Sequence, residues 1–287
     1  MNQIFTLPPG SGLSSLVANY DVVLCDVWGV LHNGVAAWPS ASEALVKFRG
    51  MGGTVVLVSN APRPVRDVEA MLDQLGVPRG AYDAIITSGA VTRTEIDRRG
   101  IKFIHPIGPQ RDNGLFDGLE LVPVEEAQLA VVTGLEDDTR ETPEDYRTRL
   151  TDMHAHGLDL ICANPDRVVE RGDQLVWCAG AVAELYEQVG GEVLYIGKPF
   201  PGIYERALEI ASTLRGSPVP KARALAIGDS MITDVAGANA FGVDCLFVTG
   251  GIHGADIGHP PVTEAYNHIL RTAKPMPVGW THRLSWD

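Results

Sequence analysis

The stretch from Asp21 to Gly34, Asp-Val-Val-Leu-Cys-Asp-Val-Trp-Gly-Val-Leu-His-Asn-Gly, constrains this chain more than any other. Its apolar, β-branched run from Val22 to Cys25 is too short for a helix and ends abruptly in a carboxylate, Asp26. Gly29 and Gly34 then let the backbone turn sharply. The pattern predicts a buried strand that delivers one acid to its C-terminal edge, where open α/β sheets bind their ligands. In isolation, Asp26 reads better as a helix N-cap or turn aspartate. The rest of the chain decides between the two.

Similar runs recur. Thr54 to Val58 predicts a second buried strand ending in Ser59-Asn60, and Asp83 to Thr87 a third. Ala224 to Ile227 ends in Gly228-Asp229-Ser230, with Asp234 on the next turn. Between them, helices are predicted over Ser40 to Arg49, capped by Ser40 or Ser42, over Arg63 to Leu75 and over Pro201 to Leu214. Such alternation implies a parallel sheet with right-handed crossovers. A second α/β series fills Ser88 to Glu192, with strands at Phe103 to Ile107, Leu129 to Thr133 and Leu158 to Cys162, and helices at Pro143 to His156 and Ala179 to Val189. Arg111 to Glu120 reads as a surface loop. The main series is expected to resume at Val193 to Ile196 and to end with a strand at Leu246 to Thr249. One more helix is expected near Val262 to Thr272, in a segment rich in Gly, Pro and His. The expected fold is α/β, a doubly wound parallel sheet built from 1–87 and 193–287, with 88–192 as an inserted second domain.

At 287 residues and 45% hydrophobic, the chain is long enough for two domains. Its net charge of -13 and lack of any basic run argue against a nucleic-acid partner, whose binding needs clustered Lys and Arg. A phosphorylated small molecule is still compatible, held by a few placed cations, a metal ion or backbone N–H groups. Cys25, Cys162, Cys178 and Cys245 form no Cys-x-x-Cys pair and read as reduced core residues. No apolar run is long enough to span a bilayer, and the N-terminal residues lack a signal-peptide pattern, so a cytoplasmic protein without a membrane partner is expected.

Four predicted strand ends thus present Asp26, Ser59-Asn60, Lys198, and the pair Asp229 and Asp234. A carboxylate that attacks phosphorus, a hydroxyl and a lysine that hold phosphoryl oxygens, and two acids that hold Mg²⁺ would make a phosphoryl-transfer site. The ordered motifs Asp-x-x-Gly-Val-Leu, Ser-Asn, Gly-Lys-Pro and Gly-Asp-Ser-x-x-x-Asp resemble the haloacid dehalogenase superfamily, largely Mg²⁺-dependent phosphatases with an aspartyl-phosphate intermediate and a Rossmann-like core. An insert holding Asn164-Pro165-Asp166 and Cys178-Ala-Gly-Ala181 resembles the α/β cap of its class IIA branch, the NagD and 4-nitrophenylphosphatase type. The resemblance covers residues 20 to 253. It implies Asp26 as nucleophile, Ser59 and Lys198 as phosphoryl-binding groups, and Mg²⁺ held by Asp26, the Trp28 carbonyl and Asp229, with Asp234 in support. It also implies a small phosphorylated substrate, of the sugar phosphate or nucleotide class, and a route to a homodimer through the cap. Asn60, Arg63, Asn164 and Asp166 are candidates for substrate contact. Asn60 reads equally as a helix cap, Arg63 and Arg66 as solvent-exposed side chains, and Asn164 and Asp166 as a structural turn.

One departure stands out. Most phosphatases of the superfamily carry a second aspartate two residues after the nucleophile, as the proton donor to the leaving group, and Trp28 occupies that position here. An indole cannot transfer protons in that role, and general acid–base catalysis is worth about 10²–10⁴-fold. Slow turnover, selectivity for good leaving groups, or a proton donor from the inserted domain or the substrate would each reconcile this. Two other readings remain: an impaired relative with a binding role, and a haloacid-dehalogenase-like hydrolase of carbon–halogen bonds, against which the retained Gly228-Asp229 and the large insert speak. A P-loop is excluded, because Pro199 stands where Ser or Thr should hold Mg²⁺.

Overall fold

The computed structural model describes residues 12–172, 174–254 and 276–287. They fall into two compact units, one holding the described residues up to Ser59, Glu69–Ile86 and the described residues from Lys198 onward, the other holding Asn60–Val68 and the described residues from Thr87 to Gly197. In chain order the elements begin β1 (Val22–Cys25), α1 (Pro39–Gly50), β2 (Thr54–Ser59), α2 (Val65–Gln74) and β3 (Ala84–Thr87). The second unit supplies α3 (Ser88–Arg99), β4 (Phe103–Ile107), β5 (Glu120–Leu121), β6 (Leu129–Val132), α4 (Arg147–Ala155), β7 (Leu160–Cys162), β8 (Val168–Arg171), β9 (Gln174–Trp177), α5 (Ala179–Gln188) and β10 (Val193–Tyr195). The first unit then adds α6 (Pro201–Arg215), β11 (Ala224–Gly228), α7 (Ala236–Phe241), β12 (Asp244–Val248) and β13 (Gly279–Thr281). Among the described residues, no helix is long and apolar enough to cross a membrane.

The first unit is built on a six-stranded sheet in the order β13-β12-β11-β1-β2-β3. β1 pairs in parallel with both β2 and β11. All four β1 residues are buried, as a parallel strand between covered faces requires, which is why its sequence is a continuous apolar run and not an alternation. The expected α/β fold with a doubly wound parallel sheet is therefore borne out.

The second unit has its own five-stranded parallel sheet, β10-β7-β6-β4-β5. Its strands alternate between two cores. Ala130, Val132, Leu160 and Cys162 face Leu150 and Met153 of α4 and Val182 and Tyr186 of α5. Leu129, Val131 and Ile161 face Ile96 of α3 together with Leu115 and Phe116. Each such buried aliphatic side chain contributes roughly 1.5–3 kcal/mol, so both layers of helices are held firmly to the sheet.

Several expectations need correction. Neither Ser40 nor Ser42 caps α1: Pro39 at its first position is already set for helical geometry, and Ser40 Oγ donates instead to the Leu284 carbonyl at 3.0 Å. The segment read as a loop, Arg111 to Glu120, contains a 3₁₀ helix over Gln110–Phe116, because Leu115 and Phe116 bury themselves in the core below α3. Val193–Tyr195 does not resume the first sheet but pairs with β7 in the second. α3 and the β8–β9 hairpin were not expected. Thr87 caps α3 by accepting from the Ala90 N–H at 3.0 Å, yet the helix carries little apolar pattern. The helix expected near Val262 to Thr272 lies outside the described residues.

Candidate active site

In the first sheet the chain leaves β1 toward β2 and leaves β11 toward β12, in opposite directions. The crevice between β1 and β11 is thus the topological switch point, where open parallel sheets take their ligands. Asp26 and Asp229 are the first residues beyond those two strands, one on each side of it.

Asp26 is held at the sheet edge by its own backbone, whose N–H donates to the Ile227 carbonyl at 2.8 Å. Lys198, buried at the first position of its segment, hydrogen-bonds Asp26 Oδ1 and also donates to Asp234 Oδ1 at 2.8 Å. A π turn over Met231–Val235, capped by Ser230, brings Asp234 into reach, and its other oxygen accepts from the Ser230 N–H at 3.1 Å. Asp229 Oδ2 accepts from the Ile252 N–H at 2.7 Å. Glycines make room for these acids: an added Cβ would lie 1.9 Å from Asp229 Oδ2 at Gly29, 2.0 Å at Gly251, and 2.0 Å from Asp234 Cγ at Gly228.

Carboxylate oxygens of Asp26, Asp229 and Asp234 lie within 4.8 Å of one another, all buried. One lysine does not balance three acids. Burial pushes the Asp26 carboxyl up to about 7, Lys198 opposing and Asp234 adding to the shift. Burial likewise raises Asp229 well above the carboxylate range, with Asp26 and Asp234 reinforcing it. Crowded hard oxygens with excess negative charge fit Mg²⁺, whose double charge would reverse this penalty.

Ser59 ends β2 and is buried; the parallel register pairs Cys25 with Leu57, so Ser59 stands one residue beyond the level of Asp26. Trp28 is fixed. Its indole lies on Gly34, where an added Cβ would be 2.5 Å from the ring, and meets His32 edge-on at 5.0 Å between centroids. His32 Nδ1 accepts from the Gly34 N–H at 2.9 Å, and burial lowers its pKa to about 4, so the ring is neutral. Sequence reading overlooked His32 and the seats at Gly29, Gly251 and Ile252. Only Gly250-Gly251 after the last expected strand hinted at them.

The other candidates belong to the second unit. Asn60 Nδ2 donates to Asp166 Oδ1 at 2.9 Å, and the Asp166 N–H donates to Asn164 Oδ1 at 3.1 Å, so these three form one network. Arg63 instead pairs with buried Asp112 at 2.6 Å, and exposed Arg66 with Asp117 at 2.5 Å.

Residues 23–121 match the model of the haloacid dehalogenase-like hydrolases, and residues 195–271 match a second hydrolase model of the same kind. The ribonucleotide monophosphatase NagD of Escherichia coli K12 is 24% identical over 242 residues, 82% of this chain and 89% of that one. The p-nitrophenyl phosphatase from Archaeoglobus fulgidus shares the fold, with a TM-score of 0.73 at 23% identity over 93% of this chain and 97% of its own. A hydrolase of the haloacid dehalogenase-like family from Brucella suis 1330 is 45% identical, with a TM-score of 0.86 over 97% of this chain and 100% of its own. Matched motifs, shared architecture and that degree of identity over a whole relative agree: the chain belongs to the haloacid dehalogenase-like hydrolase family.

Proposed function

We propose that this hydrolase is a phosphatase for a small phosphorylated metabolite, of the sugar phosphate or nucleotide class, working through an aspartyl-phosphate. The observation that carries the reading is Lys198, bonded at once to Asp26 and Asp234 beside Asp229 at the switch point. Asp26 attacks phosphorus, the bond from phosphorus to the leaving oxygen breaks, and water then cleaves the acyl phosphate, returning Asp26 and releasing phosphate. Lys198 and Ser59 hold the phosphoryl oxygens; Lys198 also keeps Asp26 oriented. Asp26, Asp229 and the Trp28 carbonyl would hold Mg²⁺, with Asp234 in support, and the ion would supply charge neutralisation at the phosphoryl group. We read the second unit as the cap that selects the substrate, with Asn60, Asn164 and Asp166 near its selecting loop.

Trp28 favours a second reading, a protein that captures phosphorylated ligands and turns them over slowly, because its clamped indole offers no exchangeable acid. A screen of phosphate monoesters, acyl phosphates and haloacids, each with and without Mg²⁺, separates these cases. Mg²⁺-dependent phosphate release is expected, fastest from acyl and aryl phosphates. Halide release without metal would overturn the phosphatase reading.

A further inference from the structure

The second sheet has a switch point of its own. From β4 the chain moves outward to β5, whereas from β6 it moves the other way, to β7, so the crevice between the C-terminal ends of β4 and β6 is where a parallel sheet of this kind takes a ligand. Its floor is closed: Gly108, at φ +149°, presses on Thr133, where a Cβ would lie 2.0 Å from Oγ1. Beyond that floor, three segments converge on one buried carboxylate. Arg111, from the segment after β4, donates to Asp138 Oδ2 at 2.5 Å, and Asp138 belongs to the segment after β6. Arg171, at the end of β8, grips the same carboxylate with both ends of its fork, at 2.7 Å and 3.1 Å.

The Asp138 side chain is 7% exposed, while those of Arg111 and Arg171 remain 46% and 36% exposed. A buried carboxylate needs one guanidinium for neutrality, and Arg171 already supplies it in the bidentate geometry that such pairs favour. The second guanidinium is in excess. Arg111 uses one of its five donors on Asp138 and meets no other acceptor among the described residues. Asp138 thus orients two forks toward solvent and leaves one positive charge unneutralised, in a chain of net charge -13.

We propose that Arg111 and Arg171, oriented by Asp138, form an oxyanion-binding subsite at the switch point of the second sheet, which takes the carboxylate or phosphate group of a small molecule. The anion could be a second acidic group of the substrate or a free effector, and the chemistry of recognition is the same for both. Its binding does not depend on the phosphatase reading; only the substrate-borne source does.

The test is a titration of the ¹⁵N-labelled full-length protein with inorganic phosphate, against sodium chloride at matched ionic strength, followed at the arginine Nε–H resonances. Saturable shifts at Arg111 and Arg171 are expected, and Arg111→Gln should weaken the affinity read at Arg171 by roughly tenfold or more. Shifts that chloride reproduces, or no saturation up to roughly 50 mM phosphate, would overturn the subsite and leave the cluster as a tie between segments. The wild-type titration decides this without any variant. Kinetics then assign the source. A KM raised by Arg111→Gln only for phosphate esters that carry a second acidic group identifies a substrate-borne anion, and KM values unchanged by Arg111→Gln, while wild type binds phosphate and the variant binds it more weakly, identify a free effector. If no ester is turned over, the phosphatase reading fails while the titration still judges the subsite.

Discussion

The Asp229 carboxylate rests directly on the backbone of Gly29, so closely that a methyl group at that glycine would lie 1.9 Å from Oδ2. Gly29 also adopts φ +86°, a left-handed conformation that side chains resist. Gly29→Ala should therefore cost roughly 1–3 kcal/mol for the backbone alone, and more because Asp229 must move. Urea unfolding measures the loss, and an unchanged midpoint would show that Asp229 is not seated against this glycine.

The proposed role of Asp229 as a metal ligand is supported by the crowding of three buried carboxylates. Calorimetric titration with Mg²⁺ should give a stoichiometry of one in the wild type and an affinity lower by roughly tenfold or more in Asp229→Ala. Equal affinity in the two proteins would remove Asp229 from the metal site.

Without metal, the raised Asp26 carboxyl makes stability depend on pH in a direction opposite to that of a salt-bridged acid. Its ordinary value is 3.8 and its folded value about 7, so between those limits the folded protein binds more protons than the unfolded chain. Stability contributed by this group is present below the ordinary value and is lost as pH rises through the folded one. In EDTA the Tm should fall as pH is raised from 4 to 8, Mg²⁺ should restore it at the upper end, and Asp26→Asn should flatten the fall. A Tm that rose over this range in EDTA, in wild type but not in Asp26→Asn, would contradict the assignment.

Trp28→Asp should speed Mg²⁺-dependent hydrolysis of esters with poor leaving groups more than of activated ones, because an alkoxide needs a proton at the transition state and a nitrophenolate does not. The gain is bounded by about 10²–10⁴-fold. Replacing the clamped indole also frees space against Gly34 and His32, so folding of the variant is checked first. A folded, Mg²⁺-binding variant with no gain across a leaving-group series would mean that another residue or the substrate already donates the proton.

Most strands of the first sheet were legible because strands buried on both faces are written as short apolar runs, Val22 to Cys25 and Ala224 to Gly228 among them; β13, a three-residue edge strand beyond the expected last one and only partly buried, was not. The acids at their ends were legible for the same reason: a run that stops at a carboxylate marks its own edge. Val193–Tyr195 was misplaced because its partner is a matter of tertiary pairing, and nothing within three half-exposed residues says which of two sheets will accept them. α3 escaped notice because its packing uses small residues; Gly89 sits on the Pro62–Arg63 backbone, where a Cβ would lie 2.4 Å from the Pro62 carbonyl carbon, and only Ile96 supplies a large buried apolar group. The seat of Asp229 at Gly29 lies 200 positions away in the sequence, and those at Gly251 and Ile252 lie on the far side of β12, relations that spacing does not encode.

The nucleophile is the assignment on which the rest depends. Crystallisation with Mg²⁺ and beryllium fluoride mimics the phosphorylated carboxylate, and the density reports directly which oxygen is modified. Beryllium bonded to an Asp26 carboxylate oxygen, with its fluorides held by Lys198 and Ser59, is the predicted result. Density on any other side chain, or none at Asp26 while Mg²⁺ is bound beside Asp229, would contradict it.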